Sequence, residues 1–453
     1  MPKHSPLFRL QGLGIISVAT ALIACGTSPG TATAPTPVPL KAATGAPLQN
    51  CAALATQFRF DQTQVTSATP EAAGALKLGA NPAPAHCLVK GLMHPRKGSD
   101  GRDYAIGFEM RLPQAWNGRF YYQGNGGLDG AVQPAQGALG GGPLTGALLQ
   151  GFAVISSDAG HTGAQTPFFG LEPQARLDYG YQAVAKLTPM AKGLIAAAYG
   201  KGPDRSYIGG CSNGGRHAMV AAARLGDQYD GYLVGAPGYR LPNAALAQLW
   251  GAQQWATVST PGATIPHPMN PSATLADLGS GFTPKERQLL SSAVLEQCDA
   301  LDGARDGMVQ ATQACQARFN LQKDVPTCQG ERNGECLTVA QKQVVAAVFS
   351  GAKTATGQPI YASFPYDAGV SGANWATWKF VNALALDPLA VGAVFSVPPG
   401  RVDPLKEDVS TRWPLFSATD DSFRESGLSL MTPPGQDNAV NLGALRARGA
   451  KMV

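Results

Sequence analysis

The chain reads Ser206-Tyr-Ile-Gly-Gly-Cys-Ser-Asn-Gly-Gly-Arg-His-Ala-Met-Val220 where a short buried strand gives way to a helix. Gly210 to Gly214 has the pattern Gly-x-Ser-x-Gly, and 218–225 is the predicted helix. A serine in this strand, turn and helix context projects above a sheet, and the helix N-terminus favours negative charge developing there. The alternative is a glycine-rich turn with an incidental serine. The flanking pattern favours Ser212 as a nucleophile.

Strand and helix patterns alternate on both sides of this turn. Strands are predicted at 102–112, 120–123, 152–157 and 232–234, and an alanine-rich helix at 177–199. Alternation at this spacing is typical of a parallel sheet flanked by helices. The sequence therefore predicts an α/β fold.

A glycine-rich loop, Gly124-Asn-Gly-Gly-Leu-Asp-Gly130, follows the second predicted strand. A loop in this position upstream of a serine turn supplies a second N–H group to an oxyanion hole. The alternatives are a phosphate-binding loop or a plain flexible loop. No Gly-Lys-Ser/Thr follows, which argues against phosphate.

The pattern changes after about residue 240. Regular alternation of strands and helices is lost, and helices are predicted to begin at Thr283 and Thr338. Five of the six tryptophans lie beyond residue 240. We predict that 240–417 is an inserted lid covering the active site, between a first core segment at 49–239 and the start of a second at 418–453. The simpler alternative is that most of these tryptophans form the insertion's own core.

Three aspartates lie close together in Cys298-Asp-Ala-Leu-Asp-Gly-Ala-Arg-Asp-Gly-Met308. Carboxylate and backbone oxygens at this spacing can surround a hard cation, although the pattern is not that of an EF-hand. The alternative is a pair of solvated Asp-Gly turns. A disulfide from Cys298 to Cys315 would brace the loop, and we therefore expect structural calcium; no organic cofactor is expected.

The first 25 residues have the features of an export signal, with Lys3 and Arg9 before the short apolar stretch 13–23. This stretch ends Leu22-Ile-Ala-Cys25, which resembles a bacterial lipobox and predicts lipidation of Cys25, against the alternative of an ordinary cleaved signal. A Pro/Thr-rich linker at 26–48 follows. We expect an exported protein, either an outer-membrane lipoprotein held by its lipid or a periplasmic or extracellular protein.

Cysteine usage also favours an oxidising compartment. Without Cys25, seven cysteines remain, and proximity suggests the pairs Cys51–Cys87, Cys298–Cys315 and Cys328–Cys336. Cys211 is left without a partner, which in an exported protein is a warning sign. The net charge of +5 is spread thinly without a basic run, so nucleic-acid binding is not expected.

Together these motifs resemble the tannase/feruloyl esterase family of α/β-hydrolases, most nearly its bacterial mono(2-hydroxyethyl) terephthalate hydrolase branch. The Cys211-Ser212 turn, the loop from Gln123 to Gly127, the aspartate loop and the three local cysteine pairs all match. The resemblance runs from about Cys51 onward. It implies an α/β-hydrolase fold and hydrolysis of an ester of feruloyl, galloyl or mono-terephthalate type through an acyl-enzyme.

The resemblance also implies roles for individual residues. Ser212 would be the nucleophile, and the backbone N–H groups of Gly127 and Asn213 would hold the oxyanion. Calcium would be bound by the side chains of Asp299, Asp302 and Asp306. The backbone carbonyls of Ala304 and Met308 would complete the set. In this family the cysteine before the serine is bonded to a cysteine directly after the catalytic histidine.

The family order places an aspartate and then a His-Cys pair beyond the lid, and the chain reaches Val453 without them. With the odd Cys211, this predicts a C-terminally truncated enzyme that is close to inactive alone. Within the chain, His86 precedes Cys87, which suits Cys51, and His217 lies on the helix of the serine turn. His161 is the remaining candidate base, although a loop-ordering hydrogen bond suits it better.

Two further functions stay open at this point. A non-catalytic surface lipoprotein could keep the fold as a binding module. A serine peptidase on the same fold is a weaker alternative. A downstream Asp and His-Cys in the gene would favour the esterase over the binding module.

Overall fold

A computed structural model describes residues 42–138, 146–434 and 440–453. Its centre is an eight-stranded sheet with the order β8-β7-β6-β4-β5-β3-β2-β1. The strands are β1 (Thr63–Glu71), β2 (His86–Lys97), β3 (Asp103–Pro113), β4 (Arg119–Gly124), β5 (Ala153–Ser157), β6 (Arg205–Cys211), β7 (Gly231–Gly235) and β8 (Lys451–Met452). Strands β4 to β8 are parallel, whereas β1, β2 and β3 pair antiparallel. The predicted α/β class with a mostly parallel sheet is confirmed.

Within the described ranges, six helices of seven or more residues accompany the sheet. They are α1 (Ala183–Tyr199), α2 (Asn213–Arg224), α3 (Leu241–Ala256), α4 (Pro284–Cys298), α5 (Thr312–Arg318) and α6 (Val339–Phe349). Leu194 of α1 and Ala221 of α2 pack with Ile155 of β5 and Ile208 of β6 in the larger apolar cluster. Burial of these apolar side chains makes the largest favourable contribution to the free energy that holds the helices on the sheet.

Local signals in the sequence account for where several helices begin. The side chains of Thr283 and Thr338 each accept a bond from an N–H of the first turn, and Glu286 and Gln341 reach back to the threonine N–H. These capping boxes satisfy N–H groups that have no partner inside a helix. The long predicted helix at 177–199 is interrupted, since Asp178–Gln182 forms a wider turn before α1.

The part of the chain after 240 has an apolar cluster of its own. Trp255 of α3 stacks on Phe282 with ring centres 5.3 Å apart, and Trp375 and Phe380 pack edge-on against Trp255. These tryptophans serve as core, as the simpler alternative held, whereas Trp413 packs against the larger cluster. A hairpin of Thr264–His267 and Asn270–Ala276, not foreseen from the sequence, projects from this part.

The remaining elements are short. The two-residue strand pairs are Ala46–Pro47 with Ala115–Trp116 and Lys77–Leu78 with Asn81–Pro82. The α-helical turns are Leu54–Gln57, Pro173–Leu177, Leu321–Asp324, Ala373–Ala376, Ala383–Ala385, Asp387–Ala390, Val409–Arg412, Gly427–Met431 and Gly443–Arg448. The 3-10 turns are Ala147–Gln150, Gly163–Gln165, Phe168–Leu171, Leu278–Gly281, Asp299–Asp302, Ala368–Ser371 and Trp413–Phe416, and wide turns occur at Thr377–Asn382 and Val391–Phe395.

Among the described helices, none alone has the length and apolarity to cross a membrane. One bent pair, Ala373–Ala385 with Asp387–Phe395, meets the length and composition criteria. The predicted signal segment and Cys25 lie outside the described residues.

Candidate active site

Ser212 lies at the end of a strand whose onward connection runs to the opposite side of the sheet from that of its parallel neighbour. β4 and β6 are parallel neighbours, and Gly124 at the end of β4 is in register with Gly210. From β4 the chain continues to β5 on one side, and from β6 it continues to β7 on the other. In open α/β sheets the crevice at the carboxyl ends of two such strands is the usual ligand site.

The backbone of Ser212 has an unusual conformation. Its φ is 60° and its ψ is −120°, and the residue is exposed between β6 and α2. A non-glycine residue keeps such angles only where the surroundings impose them. Ser212 N–H donates to Gly235 O at 3.0 Å, and its carbonyl accepts from Arg216 N–H at 3.0 Å. The turn is thus fixed on both sides of the hydroxyl.

Glycines permit the close approach that this turn requires. A Cβ atom on Gly210 would lie 2.5 Å from the carbonyl oxygen of Gly124, and one on Gly214 would overlap the same oxygen. Helix α2 begins at Asn213, five residues earlier than the helical segment predicted from the sequence. Its N-terminus therefore adjoins the serine directly, where its dipole favours negative charge.

The glycine-rich loop 124–130 forms one wall of a cleft of about 510 Å³. Gly124, Asn125, Gly126 and Asp129 line the cleft together with Cys211 and Ser212. This volume lies within the range of pockets that bind small molecules. Among the residues predicted for the site, the structure brings Ser212 and the loop together.

Side-chain amides hold the start of the loop. Asn125 Nδ2 donates to Ser157 O at 2.7 Å and to Ser156 Oγ at 3.0 Å. Gln123 Nε2 donates to Asn125 Oδ1 at 3.1 Å, and Gln123 Oε1 accepts from Gly137 N–H at 2.8 Å. These bonds fix the backbone that leads to Gly127.

Asp129 joins the loop to the serine helix. Its Oδ2 accepts from Asn213 Nδ2 at 2.8 Å and lies 2.9 Å from His217 Nε2. The Asp129 side chain is 1% exposed, and its φ of 54° is in the left-handed region. The two predicted oxyanion donors, Gly127 and Asn213, are therefore on segments that a buried carboxylate connects.

Tyr179 makes a second connection between the same segments. Its hydroxyl lies 3.2 Å from Gly127 O and 3.3 Å from Asn213 Oδ1. The ring is fully buried, and burial raises the pKa of its hydroxyl, so the group stays protonated. As the first residue of α2, Asn213 has no acceptor within the helix for its own backbone N–H, which leaves that group available to a ligand.

A buried arginine completes the support. Arg216 Nε donates to Asn213 Oδ1 at 2.9 Å, and Nη2 donates to Tyr179 O at 3.0 Å. Its Nη1 donates to Gly180 O, and the guanidinium lies 5.0 Å from the centre of the Tyr179 ring. Burial lowers the pKa of Arg216, yet its carbonyl acceptors satisfy the charged form.

The candidate histidines all have other partners. His161 Nε2 donates to Leu128 O at 2.8 Å, and its ring stacks on Phe169 at 3.6 Å. Burial lowers the pKa of His161 to about 4, so the ring is neutral and orders the loop, as expected. His217 contacts Asp129, and His86 lies 2.7 Å from both Pro84 O and Arg111 Nη1. Among the described residues, none of these rings is hydrogen-bonded to Ser212.

The aspartate loop is exposed and bonded to its own backbone. Asp299 Oδ1 accepts from the N–H groups of Asp306 and Gly307, and Asp302 accepts from those of Ala304 and Gln310. These bonds lower the pKa of Asp302. The oxygen donors suit calcium chemically, although no group of three metal-binding side chains converges within the described part of the chain.

The predicted disulfides are confirmed. Cys51–Cys87, Cys298–Cys315 and Cys328–Cys336 have Cα–Cα distances of 5.6, 5.0 and 5.0 Å. Cys211 is a free thiol and half-buried in the cleft wall. Its predicted pairing with a further cysteine stays a prediction.

Sequence reasoning did not identify Asp129, Tyr179 or Arg216 as part of this site. Asp129 stood in the quoted loop and Arg216 in the quoted turn, and a charged residue at the buried start of a helix is a detectable signal. Tyr179 is more distant in sequence, and only the wide turn at Asp178–Gln182 brings its hydroxyl to the loop.

Known esterases and hydrolases are similar to this chain. The family described as tannase and feruloyl esterase matches residues 87–393. The chain is 33% identical over 411 residues to the mono(2-hydroxyethyl) terephthalate hydrolase of Piscinibacter sakaiensis, covering 82% of this chain and 66% of that protein. The alignment thus extends beyond the segments that carry the motifs.

Solved structures agree on the fold. Feruloyl esterase B from Aspergillus oryzae superposes with a TM-score of 0.68 at 23% identity, covering 89% of this chain and 73% of that one. Tannin acyl hydrolase from Aspergillus niger gives 0.60 at 19% identity, covering 88% and 70%. The chain spans from about half to two thirds of the length of the first curated relatives that it matches.

Proposed function

The chain belongs to the tannase and feruloyl esterase family, and we propose that it is a serine esterase for aromatic acid esters of feruloyl, galloyl or mono-terephthalate type. The observation that carries this proposal is the position of Ser212. Its exposed hydroxyl adjoins the N-terminus of α2, in a cleft shared with the glycine-rich loop. Acyl transfer needs a nucleophile beside preorganised N–H donors, and this arrangement supplies both.

In the proposed mechanism Ser212 Oγ attacks the ester carbonyl carbon while its proton passes to a general base. The carbonyl oxygen becomes an oxyanion, which the backbone N–H groups of Gly127 and Asn213 stabilise. The base returns the proton to the departing alcohol, and an acyl-enzyme remains. Water, activated by the same base, then releases the acid.

We propose that the base lies outside the described part of the enzyme. His161 and His217 are bonded to Leu128 O and to Asp129, and burial lowers the pKa of both rings. In a serine triad the base is a histidine oriented by a carboxylate. Such a pair from a further segment would complete the site.

We propose a structural calcium ion in the aspartate loop. The side chains of Asp299, Asp302 and Asp306 and the carbonyls of Ala304 and Met308 would hold it. Calcium accepts six to eight oxygen ligands in flexible geometries, which suits carboxylates and carbonyls on a short exposed loop. Its contribution would be to stability, since the loop is braced by Cys298–Cys315 and takes no part in the proposed chemistry.

We further propose export, with a lipid on Cys25. Three disulfides are consistent with an oxidising compartment. The predicted linker 26–48 ends too late, because Ala46–Pro47 pairs with Ala115–Trp116 of the domain. In this proposal the part of the linker that precedes Ala46 would separate the lipid from the catalytic domain, and the insertion 240–417 would cover the cleft as a lid.

Substitution of Ser212 tests the function directly. Ser212→Ala, in the enzyme expressed from its complete gene, should lower turnover of methyl ferulate, methyl gallate and a terephthalate monoester by on the order of 10⁴-fold or more. Ser350→Ala, at an exposed helix end, serves as the matched control. Equal activity of the two variants would show that Ser212 is not the nucleophile.

The alternative of a non-catalytic binding module is less favoured, because the named relatives are esterases and hydrolases. An amide panel in the same assay addresses the serine peptidase alternative. Cleavage of amides in preference to esters would favour the peptidase.

A further inference from the structure

A second cavity, of about 190 Å³, lies between α3 and the helical segment Ala373–Ala385. It shares no lining residue with the cleft at Ser212. Four aromatic side chains line it together with Lys379, and they are Trp250, Trp255, Tyr361 and Phe364. The cavity therefore combines apolar walls with one cation.

Lys379 is the unusual member of this set. Its Nζ donates to Gln248 Oε1 at 3.1 Å and lies 4.3 Å from the centre of the Phe364 ring. Among the described residues, no carboxylate forms an ion pair with it. Lys379 is half-buried, so its ammonium loses part of its hydration without gaining an anionic partner, and an anion in the cavity would compensate this loss.

The acid that influences Lys379 most is Asp387. Its carboxyl is buried, and its Oδ2 has no hydrogen-bond partner among the described residues. Burial raises the pKa of Asp387 to about 8, so near neutral pH this carboxyl is mainly protonated and does not neutralise the lysine. Burial lowers the pKa of Lys379 to about 8, which still leaves most of the ammonium charged at pH 7.

We propose that this cavity binds a small aromatic carboxylate, with its carboxylate on Lys379 and its ring among Trp250, Tyr361 and Phe364. A volume below that of drug-sized pockets suits a ligand with a single ring. Aromatic rings pack against one another with a gain beyond the burial of area alone. A carboxylate on the half-buried ammonium of Lys379 forms a charge-assisted hydrogen bond, which is stronger than a neutral one.

The site adjoins the serine turn. Gly238, which lines the cavity, has its N–H 3.4 Å from the carbonyl oxygen of Ser212. A ligand there contacts the segment that supports the turn. Binding itself does not depend on the proposed esterase activity, so the two proposals can fail separately.

Benzoate is the probe, and benzamide is its neutral control of nearly the same shape. Trp250 and Trp255 line the cavity, so binding should change tryptophan fluorescence, and calorimetry gives the affinity. We expect benzoate to bind on the order of tenfold more tightly than benzamide, because only the anion pairs with Lys379. Equal binding of the two probes, or binding of neither, would overturn the proposal.

Two variants test charge and space independently. Lys379→Met removes the charge and should reduce benzoate affinity on the order of tenfold or more. Gly251→Leu keeps the charge and fills the cavity, since a Cβ at Gly251 meets no atom within 4 Å. Lys406→Met, at a side chain 84% exposed, is the control and should bind benzoate normally. Unchanged binding in both Lys379→Met and Gly251→Leu, with melting curves showing folded protein, would contradict the assignment.

The aromatic carboxylate that pairs with Lys379 has two possible sources: an acid group on a substrate, or the free acid released as product. Competitive inhibition of ester hydrolysis by benzoate would indicate that the cavity holds part of the substrate. Noncompetitive inhibition would indicate a separate site for the free acid. Either pattern of inhibition supports the carboxylate site if benzoate no longer inhibits the Lys379→Met variant.

Discussion

Asp129 Oδ2 lies 2.9 Å from Nε2 of His217, and both side chains are withdrawn from solvent. The histidine is on α2, five residues after Ser212, and the aspartate is two residues after Gly127. Because the same oxygen also accepts from Asn213 Nδ2 at 2.8 Å, the glycine-rich loop and the serine helix are joined at one point. The geometry of the proposed oxyanion hole depends on that junction.

Asp129→Ala should therefore impair both stability and catalysis. It leaves the buried donors of Asn213 and His217 without an acceptor, at about 1–3 kcal/mol each, so we expect a loss of about 2–6 kcal/mol. Asp129→Asn keeps one acceptor oxygen and tolerates the left-handed backbone, so its loss should be about half as large. Urea unfolding and kcat/KM are the measurements. Asp421→Ala, at an exposed site, is the control, and equal stability of the two alanine variants would contradict this role.

The second prediction concerns the close contact between the end of β4 and the serine turn. Gly214→Ala places a methyl group against Gly124 O, so the loop must move away from Ser212. We expect a loss of stability of about 1–3 kcal/mol together with a lower kcat. Gly202→Ala is the control, because a Cβ there meets nothing within 4 Å. A fully active Gly214→Ala variant would mean that the loop and turn are not held in register.

The fold was predictable because local signals agreed with the long-range arrangement. Strand and helix alternation predicted β3 to β7, and capping residues at Thr283 and Thr338 predicted the starts of α4 and α6. The strand β2 was not foreseen, although its burial alternates in part, and its antiparallel pairing depends on distant partners. Pairing of this kind is decided by tertiary packing more than by propensity.

Within the site, the sequence identified the serine and the loop but not what joins them. Motifs describe residues that are close in the chain, and Ser212 with its glycines is such a group. The contacts of Asp129 with His217 and of Tyr179 with Gly127 cross 88 and 52 positions. They arise only when β4 and β6 become neighbours, which no local pattern specifies.

Calcium should stabilise the aspartate loop without entering the reaction. Adding calcium to chelated enzyme should raise Tm, because a ligand that binds only the native state stabilises it by mass action. Asp302→Ala should abolish this calcium-dependent shift. Asp403→Ala, which also removes a carboxylate bonded to a backbone N–H, is the matched control and should keep it. If the Tm of the unaltered enzyme does not change when calcium is added, the loop is only a pair of Asp-Gly turns and not a calcium site.

Lipidation of Cys25 predicts the mature N-terminus. After expression in a bacterial host that processes lipoproteins, the N-terminal peptide should begin at Cys25 and carry lipid mass. Cys25→Ser should move the protein from the membrane fraction to the soluble fraction, because the acyl chains supply the binding energy. A mature protein that begins elsewhere without lipid would exclude the anchor. Mass spectrometry of both forms decides between these outcomes.

Asp158 predicts how stability changes with pH. Its side chain is buried after β5, and its Oδ1 accepts from the N–H groups of Gly107 and Gly160 at 2.9 Å each. Burial is the largest cause that raises the pKa of Asp158, to about 7, from 3.8. Between these values the native carboxyl holds a proton that the unfolded chain has released, so its contribution to stability falls as pH rises through this window.

Asp158→Asn removes this dependence. The amide has the shape of the protonated acid, and its oxygen can accept the same two bonds, so the variant should match the unaltered protein near pH 4. By pH 8 it should be more stable, by on the order of 2–4 kcal/mol, since each pKa unit corresponds to about 1.4 kcal/mol. Urea unfolding from pH 4 to pH 8, with Asp421→Asn as the exposed control, measures the difference. A constant difference across this range would mean that Asp158 is already ionised in the folded protein at pH 4.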